Sequence, residues 1–118
     1  MMTERNTQYQ DELRRAAEEF LDHRHTAPWT DDESARQLVS CIYHSGLWDK
    51  GFRDRFPDLR RKKISEMSGA DIRAYLTMIV CTDRTQEGCI DRHIQSGKID
   101  ALLHRWLDIQ REMEGQNG

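Results

Sequence analysis

Apolar positions recur at helical spacing in five stretches of this chain, with polar punctuation between them. Tyr9, Leu13, Ala16, Ala17, Phe20 and Leu21 share one face of a helix predicted from about Thr7 to His23. His25-Thr26-Ala27-Pro28-Trp29 breaks that pattern. Thr30-Asp31-Asp32-Glu33 then reads as a capping box, in which a threonine side chain accepts the Glu33 amide and Glu33 reaches back. The helix it opens buries Ala35, Leu38, Val39 and Ile42, and Gly46 is its expected stop. Ser68-Gly69-Ala70-Asp71 predicts the start of another helix, over 69–82, carrying Ile72, Tyr75, Leu76, Ile79 and Val80. Asp83 reads as the cap of a helix over 84–96 with Cys89, Ile90, His93 and Ile94, stopped at Gly97. The last helix is expected from Ile99 to Met113, burying Leu102, Leu103, Trp106, Leu107 and Ile109. Residues 47–63, interrupted by Gly51 and Pro57, read as short helical turns and loop.

The expected fold class is therefore all-α, a compact bundle of five to six short helices. The 118 residues suit one domain over 1–118, with 1–6 and 114–118 frayed. No apolar run approaches the 18 or so residues of a membrane span, and residues 1–15 lack the apolar stretch of a signal peptide. Three cysteines, an odd number, do not suggest a disulfide framework. These features lead us to expect a cytoplasmic protein of a prokaryotic cell or phage-infected host.

Charge divides the chain unevenly. Residues 1–49 carry net −5, residues 50–63 carry net +5, and residues 64–118 carry net −3. The basic segment holds Lys50, Arg53, Arg55, Arg60, Arg61, Lys62 and Lys63, with Phe52 and Phe56 interleaved and Trp48 just before it. Clustered cations neutralise phosphates whatever the base sequence, and aromatics can stack on bases, so a nucleic-acid site is one reading. An acidic protein partner is another. The plainest is that the phenylalanines anchor the segment in the core while solvent takes the charges.

Cys41 and His44 lie three apart on one predicted helix, and Cys89 and His93 four apart on another. Packed together, these four could form a zinc site, although no Cys-x-x-Cys pair is present and cysteine is commonly buried without any ligand role. Nucleophilic catalysis needs a nucleophile, a base and an orienting group. Cys81 with a histidine would meet this by composition only, and no phosphate-binding glycine loop occurs. The chain is expected to be no enzyme and to need no cofactor.

From Ile64 to Leu107 the frame Leu76-Thr77, Asp83-Arg84, Glu87-Gly88, Ile94, Ser96-Gly97, Ile99 and Leu102-Leu103-His104-Arg105-Trp106-Leu107 resembles the C-terminal signature of a family of small prokaryotic and phage domains of unknown function. In that family an aromatic stands where this chain has Thr85, and an acid where it has Gln95. These are capping and packing residues, so the resemblance implies a helical fold and carries over no catalytic residue.

The helices over 69–82, 84–96 and 99–113 could also form a helix-turn-helix unit, but their exposed positions mix charges. The reading that fits best is a small interaction protein occupying a surface of a larger protein or ribonucleoprotein complex, with Trp29, Tyr43 and Trp48 as candidate anchors. In size, acidity and lack of motif it is similar to anti-CRISPR-type inhibitors of phages. A nucleic-acid-binding regulator using 50–63 is the rival, and a small hydrolase or zinc-binding domain the third reading. A homodimer through an exposed apolar helix face stays open.

Overall fold

A computed structural model describes residues 2–23, 25, 28–44 and 52–117, with side chains described over 11–23, 25, 28–43 and 57–113. Six α-helices account for nearly all of it: α1 (Met2–Leu21), α2 (Glu33–His44), α3 (Phe52–Arg61), α4 (Gly69–Asp83), α5 (Cys89–Gln95) and α6 (Lys98–Asn117). Short 3-10 turns at Trp29–Asp31 and Ile64–Glu66 precede α2 and α4. The expected all-α bundle is what forms, and no strand occurs among the described residues.

Antiparallel neighbours pair as short connections require. α1 packs on α2 and α6, α4 packs on α2, α5 and α6, and α3 packs chiefly on α4. Amphipathic stripes from each helix meet at the centre. Phe20 and Leu13 from α1, Leu38 from α2, Ile72 and Ile79 from α4, Ile90 from α5, and Leu102, Leu103 and Trp106 from α6 are all essentially inaccessible to solvent. A cavity of about 10 Å³ among Phe20, Leu38, Ile79, Ile90 and Ile99 has an entirely apolar lining. That is about one water's space with no polar partner, so it is a packing flaw and no ligand pocket.

Several helix ends differ from the pattern-based expectation. α1 begins at Met2 rather than Thr7, and α6 continues to Asn117 rather than Met113. Thr30 does not cap α2. The 3-10 turn takes up Thr30, with the Asp31 amide on the Pro28 carbonyl (3.1 Å) and the Asp32 amide on that of Trp29 (3.0 Å). Asp32 caps instead: its carboxylate accepts the Ala35 amide at 3.2 Å and the Ser34 hydroxyl at 2.8 Å. Residues 52–61, read as turns and loop, form a ten-residue helix that tolerates Pro57 inside it. The proline forgoes one helical hydrogen bond, to the carbonyl of residue 53. The expected stop at Gly46 lies outside the described residues.

The helix expected over 84–96 is shorter. Residues 84–88 make turns, and α5 starts only at Cys89, after Gly88 at φ +93°. Asp83 still acts as a cap, from a distance: its carboxylate accepts the Ile90 amide at 3.0 Å. Ser68 caps α4 as expected. Its hydroxyl accepts the Asp71 amide (3.2 Å) while Asp71 accepts the Ser68 amide (3.1 Å). Gly97, at φ +80°, ends α5 and turns the chain into α6.

Candidate functional site

The C-terminal turn of α3 runs straight into the chain that leads to α4, and the basic segment ends there. Arg60, Arg61, Lys62 and Lys63 are all exposed. They separate into two roles. Lys62 bends back over the start of α4, where its Nζ lies 2.8 Å from Asp71 Oδ2. Asp71 is almost buried, with 8% of its side chain exposed against 42% for Lys62. Burial pushes the Asp71 carboxyl up, but hydrogen bonds from Lys62 and the Ser68 amide outweigh it and hold the group below the ordinary carboxylate range. Lys62 is therefore a brace for the α4 cap.

Arg60, Arg61 and Lys63 stand exposed around that brace. No carboxylate among the described residues pairs with Arg61 or Lys63. α6 brings a further cation to the same neighbourhood: Arg105 Nε donates to the Met67 carbonyl at 3.2 Å, directly after the 3-10 turn. These residues form a short basic edge. The other residues expected in the segment divide by position. Arg53 and Arg55 belong to α3, but their side chains lie outside the described residues, and Trp48 and Lys50 lie outside them altogether.

The zinc reading finds no assembled site. Among the described residues no three His, Cys, Asp or Glu side chains come together to hold an ion. Cys41 lines a shallow groove of about 360 Å³ between α1 and α2, beside Glu12, Arg15 and Gln37. Burial, reinforced by Glu12, raises its thiol to about 11, so it is protonated at neutral pH and is a poor ligand or nucleophile. Cys89 sits instead in the first turn of α5 with its thiol also pushed up by burial. His93 Nδ1 lies 3.6 Å from that sulfur but only 2.7 Å from the Cys89 carbonyl, to which it donates. The pair is a local contact within α5. The side chain of His44 lies outside the described residues.

Two of the three candidate aromatic anchors, Tyr43 and Trp29, are engaged. Tyr43 is half-buried beneath Arg84, whose guanidinium carbon is 4.8 Å from the ring centroid and whose Nε donates to the hydroxyl at 2.9 Å. Trp29 packs partly on the core, and its amide donates to Asp91 at 2.8 Å, tying the turn before α2 to α5. The helix-turn-helix reading loses its middle element, because α5 has only seven residues.

One polar centre was not anticipated. His25 stacks on Phe20, with centroids 3.8 Å apart and planes 16° from parallel. Its Nε2 faces the Phe20 carbonyl at 2.6 Å and its Nδ1 faces Asp32 at 2.5 Å. The ring is held between a backbone carbonyl and a carboxylate. Burial pushes the Asp32 carboxyl up, yet hydrogen bonds from His25, Ser34 and the Ala35 amide leave it below its ordinary value. The sequence signal was only a histidine seven residues before an aspartate. The arrangement fastens the α1–α2 connection.

Fold and surface together define a small all-α domain with a basic edge, and among its described residues no group of three or more His, Cys, Asp or Glu could hold a metal ion. The chain belongs to a family of unknown function (DUF6508), whose model matches residues 5–112. That match reaches well beyond the 64–107 stretch that carries the resemblance noted in the sequence. No curated protein and no solved structure matches the chain.

Proposed function

We propose that this chain is a non-enzymatic interaction domain that docks through Arg60, Arg61 and Lys63 on an anionic surface of a larger protein or ribonucleoprotein complex. One observation carries the reading: four consecutive cations are exposed, and Lys62 is turned onto the fold while Arg61 and Lys63 have no acidic partner among the described residues. Outward cations on an otherwise acidic chain steer it towards opposite charge and set its orientation on arrival. The narrower reading, a phage or mobile-element inhibitor of host defence of the anti-CRISPR kind, is supported by small size and by the fact that blocking a surface needs no chemistry. The rival reading makes the same edge a nucleic-acid-binding regulator.

The test is capture from prokaryotic lysate with the immobilised full chain and with the variant Arg60→Glu/Arg61→Glu/Lys63→Glu, after circular dichroism shows equal helicity. The expected result is a partner held by the wild-type chain and released by the variant. Capture of the same set by both, or of nothing by the wild type, overturns the proposal.

A further inference from the structure

Resting on the docking role just described, we infer that the occupant of the basic edge is an acidic protein segment with an apolar side chain among its carboxylates. The cations do not stand alone. Pro57 lies one turn of α3 before Arg61, on the same face, and is exposed. Ile64 follows Lys63 directly and is half-buried, packed in part on the core. Apolar surface thus borders the cations on both sides along the chain. Two exposed carboxylates are set into the same stretch. Asp58 stands three residues before Arg61 on α3. Glu66 closes the 3-10 turn that Lys63 opens, its amide donating to the Lys63 carbonyl at 2.9 Å. Neither carboxylate comes within ion-pair reach of Arg61 or Lys63. Arg60, Arg61 and Lys63 against Asp58 and Glu66, three charges against two, leave the exposed edge at net +1, which half-buried Arg105 raises to +2.

That balance separates two kinds of anion. Duplex DNA presents a phosphate charge about every 1.7 Å of its axis and leaves no gap opposite Asp58 or Glu66. Its gain comes from cations that neutralise phosphates, and the two carboxylates offset most of that gain here. A protein sets its charges one at a time. It can place carboxylates opposite Arg61 and Lys63, and a cation or neutral group opposite Asp58 and Glu66. It also supplies an aliphatic or aromatic side chain for Pro57 and Ile64, whose exposed surface a phosphate backbone leaves in water. Arginine pairs with a carboxylate through two parallel N–H donors, which fixes orientation. Solvated ion pairs contribute little affinity, so the apolar contact decides how tightly the segment is held.

The experiment is fluorescence anisotropy of three labelled probes titrated with the full chain at 100 mM NaCl. The probes are a 16-residue peptide of Glu with Leu at every fourth position, a 16-residue oligo-Glu peptide, and a 20-base-pair DNA. The Glu/Leu peptide should bind about fivefold tighter than oligo-Glu, although it carries fewer charges, and tighter than the DNA. Arg61→Ala/Lys63→Ala, with helicity unchanged, should abolish binding of both peptides. Pro57→Ser removes apolar surface at no cost to α3, since proline is the poorest residue inside a helix. It should weaken the Glu/Leu peptide about two- to threefold and leave oligo-Glu unchanged. DNA bound more tightly than the Glu/Leu peptide overturns the inference. So do equal affinities for the two peptides, an unchanged Glu/Leu affinity in Pro57→Ser, or no peptide binding at 500 μM protein. Edge-dependent capture from lysate that is lost on nuclease treatment also overturns it: the partner is then a nucleic acid, and the docking role stands.

Discussion

Lys62 and Asp71 meet at 2.8 Å, and that contact joins the end of α3 to the cap of α4. Asp71 matters more to the fold. It closes the capping box with Ser68 and is nearly buried, whereas Lys62 is 42% exposed. Replacing Asp71 with Ala removes the box and leaves Lys62 without its partner, at a cost of about 1–3 kcal/mol. Replacing Lys62 with Ala costs less than about 1 kcal/mol, since its end of the pair is solvated. Urea denaturation of the two variants checks the order, and a larger loss for Lys62→Ala would contradict it.

Acid should loosen the fold through two carboxylates. Asp32 and Asp71 are both held below the ordinary value of 3.8. A group lowered on folding contributes stability that is complete above its unfolded value and is lost as pH falls through its folded value. The urea midpoint should therefore drop as pH is lowered from 5 to 3. An Asp32→Asn/Asp71→Asn variant, less stable at neutral pH, should drop by a smaller amount. A wild-type midpoint that does not move in this interval would count against both contacts.

Gly88 stands at φ +93°, and a Cβ at this position would meet nothing within 4 Å, so the backbone alone decides the outcome of a substitution. Gly88→Ala should cost about 1–2 kcal/mol from the left-handed conformation, and Gly88→Asn less. Thermal unfolding of the two variants gives the comparison. Equal midpoints for wild type and Gly88→Ala would show that the turn before α5 adapts.

Cys41 and Cys89 are set up as protonated, packed thiols. Incubation with EDTA, or with an equivalent of zinc, should leave the thermal midpoint unchanged. A stabilisation by zinc that disappears in Cys89→Ala would revive the four-ligand site that the sequence spacing allowed.

Much of the architecture was legible because it is written locally. Ser68-x-x-Asp71 is a self-contained cap, and the stripe Ile72, Leu76, Ile79 and Val80 behind it has one helical reading. Thr30-x-x-Glu33 looked just as good and failed, because Asp32 has a tertiary partner in His25 and takes over the cap. α3 was missed because Pro57 and Gly51 read as breakers, yet a single lost hydrogen bond does not stop a helix that packs on α4. The same limit applies to the site. The sequence marks 50–63 as basic. It cannot show that Lys62 is used internally by a residue nine positions on, while Arg61 and Lys63 are left outward. Nor does it place Arg105 beside Met67, 38 residues earlier.

Two kinds of cation meet at the end of α3: Arg61 and Lys63, to which the proposed function gives the partner, and Lys62, which braces the cap of α4. The most direct measurement takes Lys62→Ala and Arg61→Ala/Lys63→Ala through the same two assays, urea stability and partner retention. Lys62→Ala is predicted to lower the urea midpoint and keep the partner. Arg61→Ala/Lys63→Ala should keep the midpoint and release the partner. Loss of stability without loss of binding in Arg61→Ala/Lys63→Ala would contradict this division of roles.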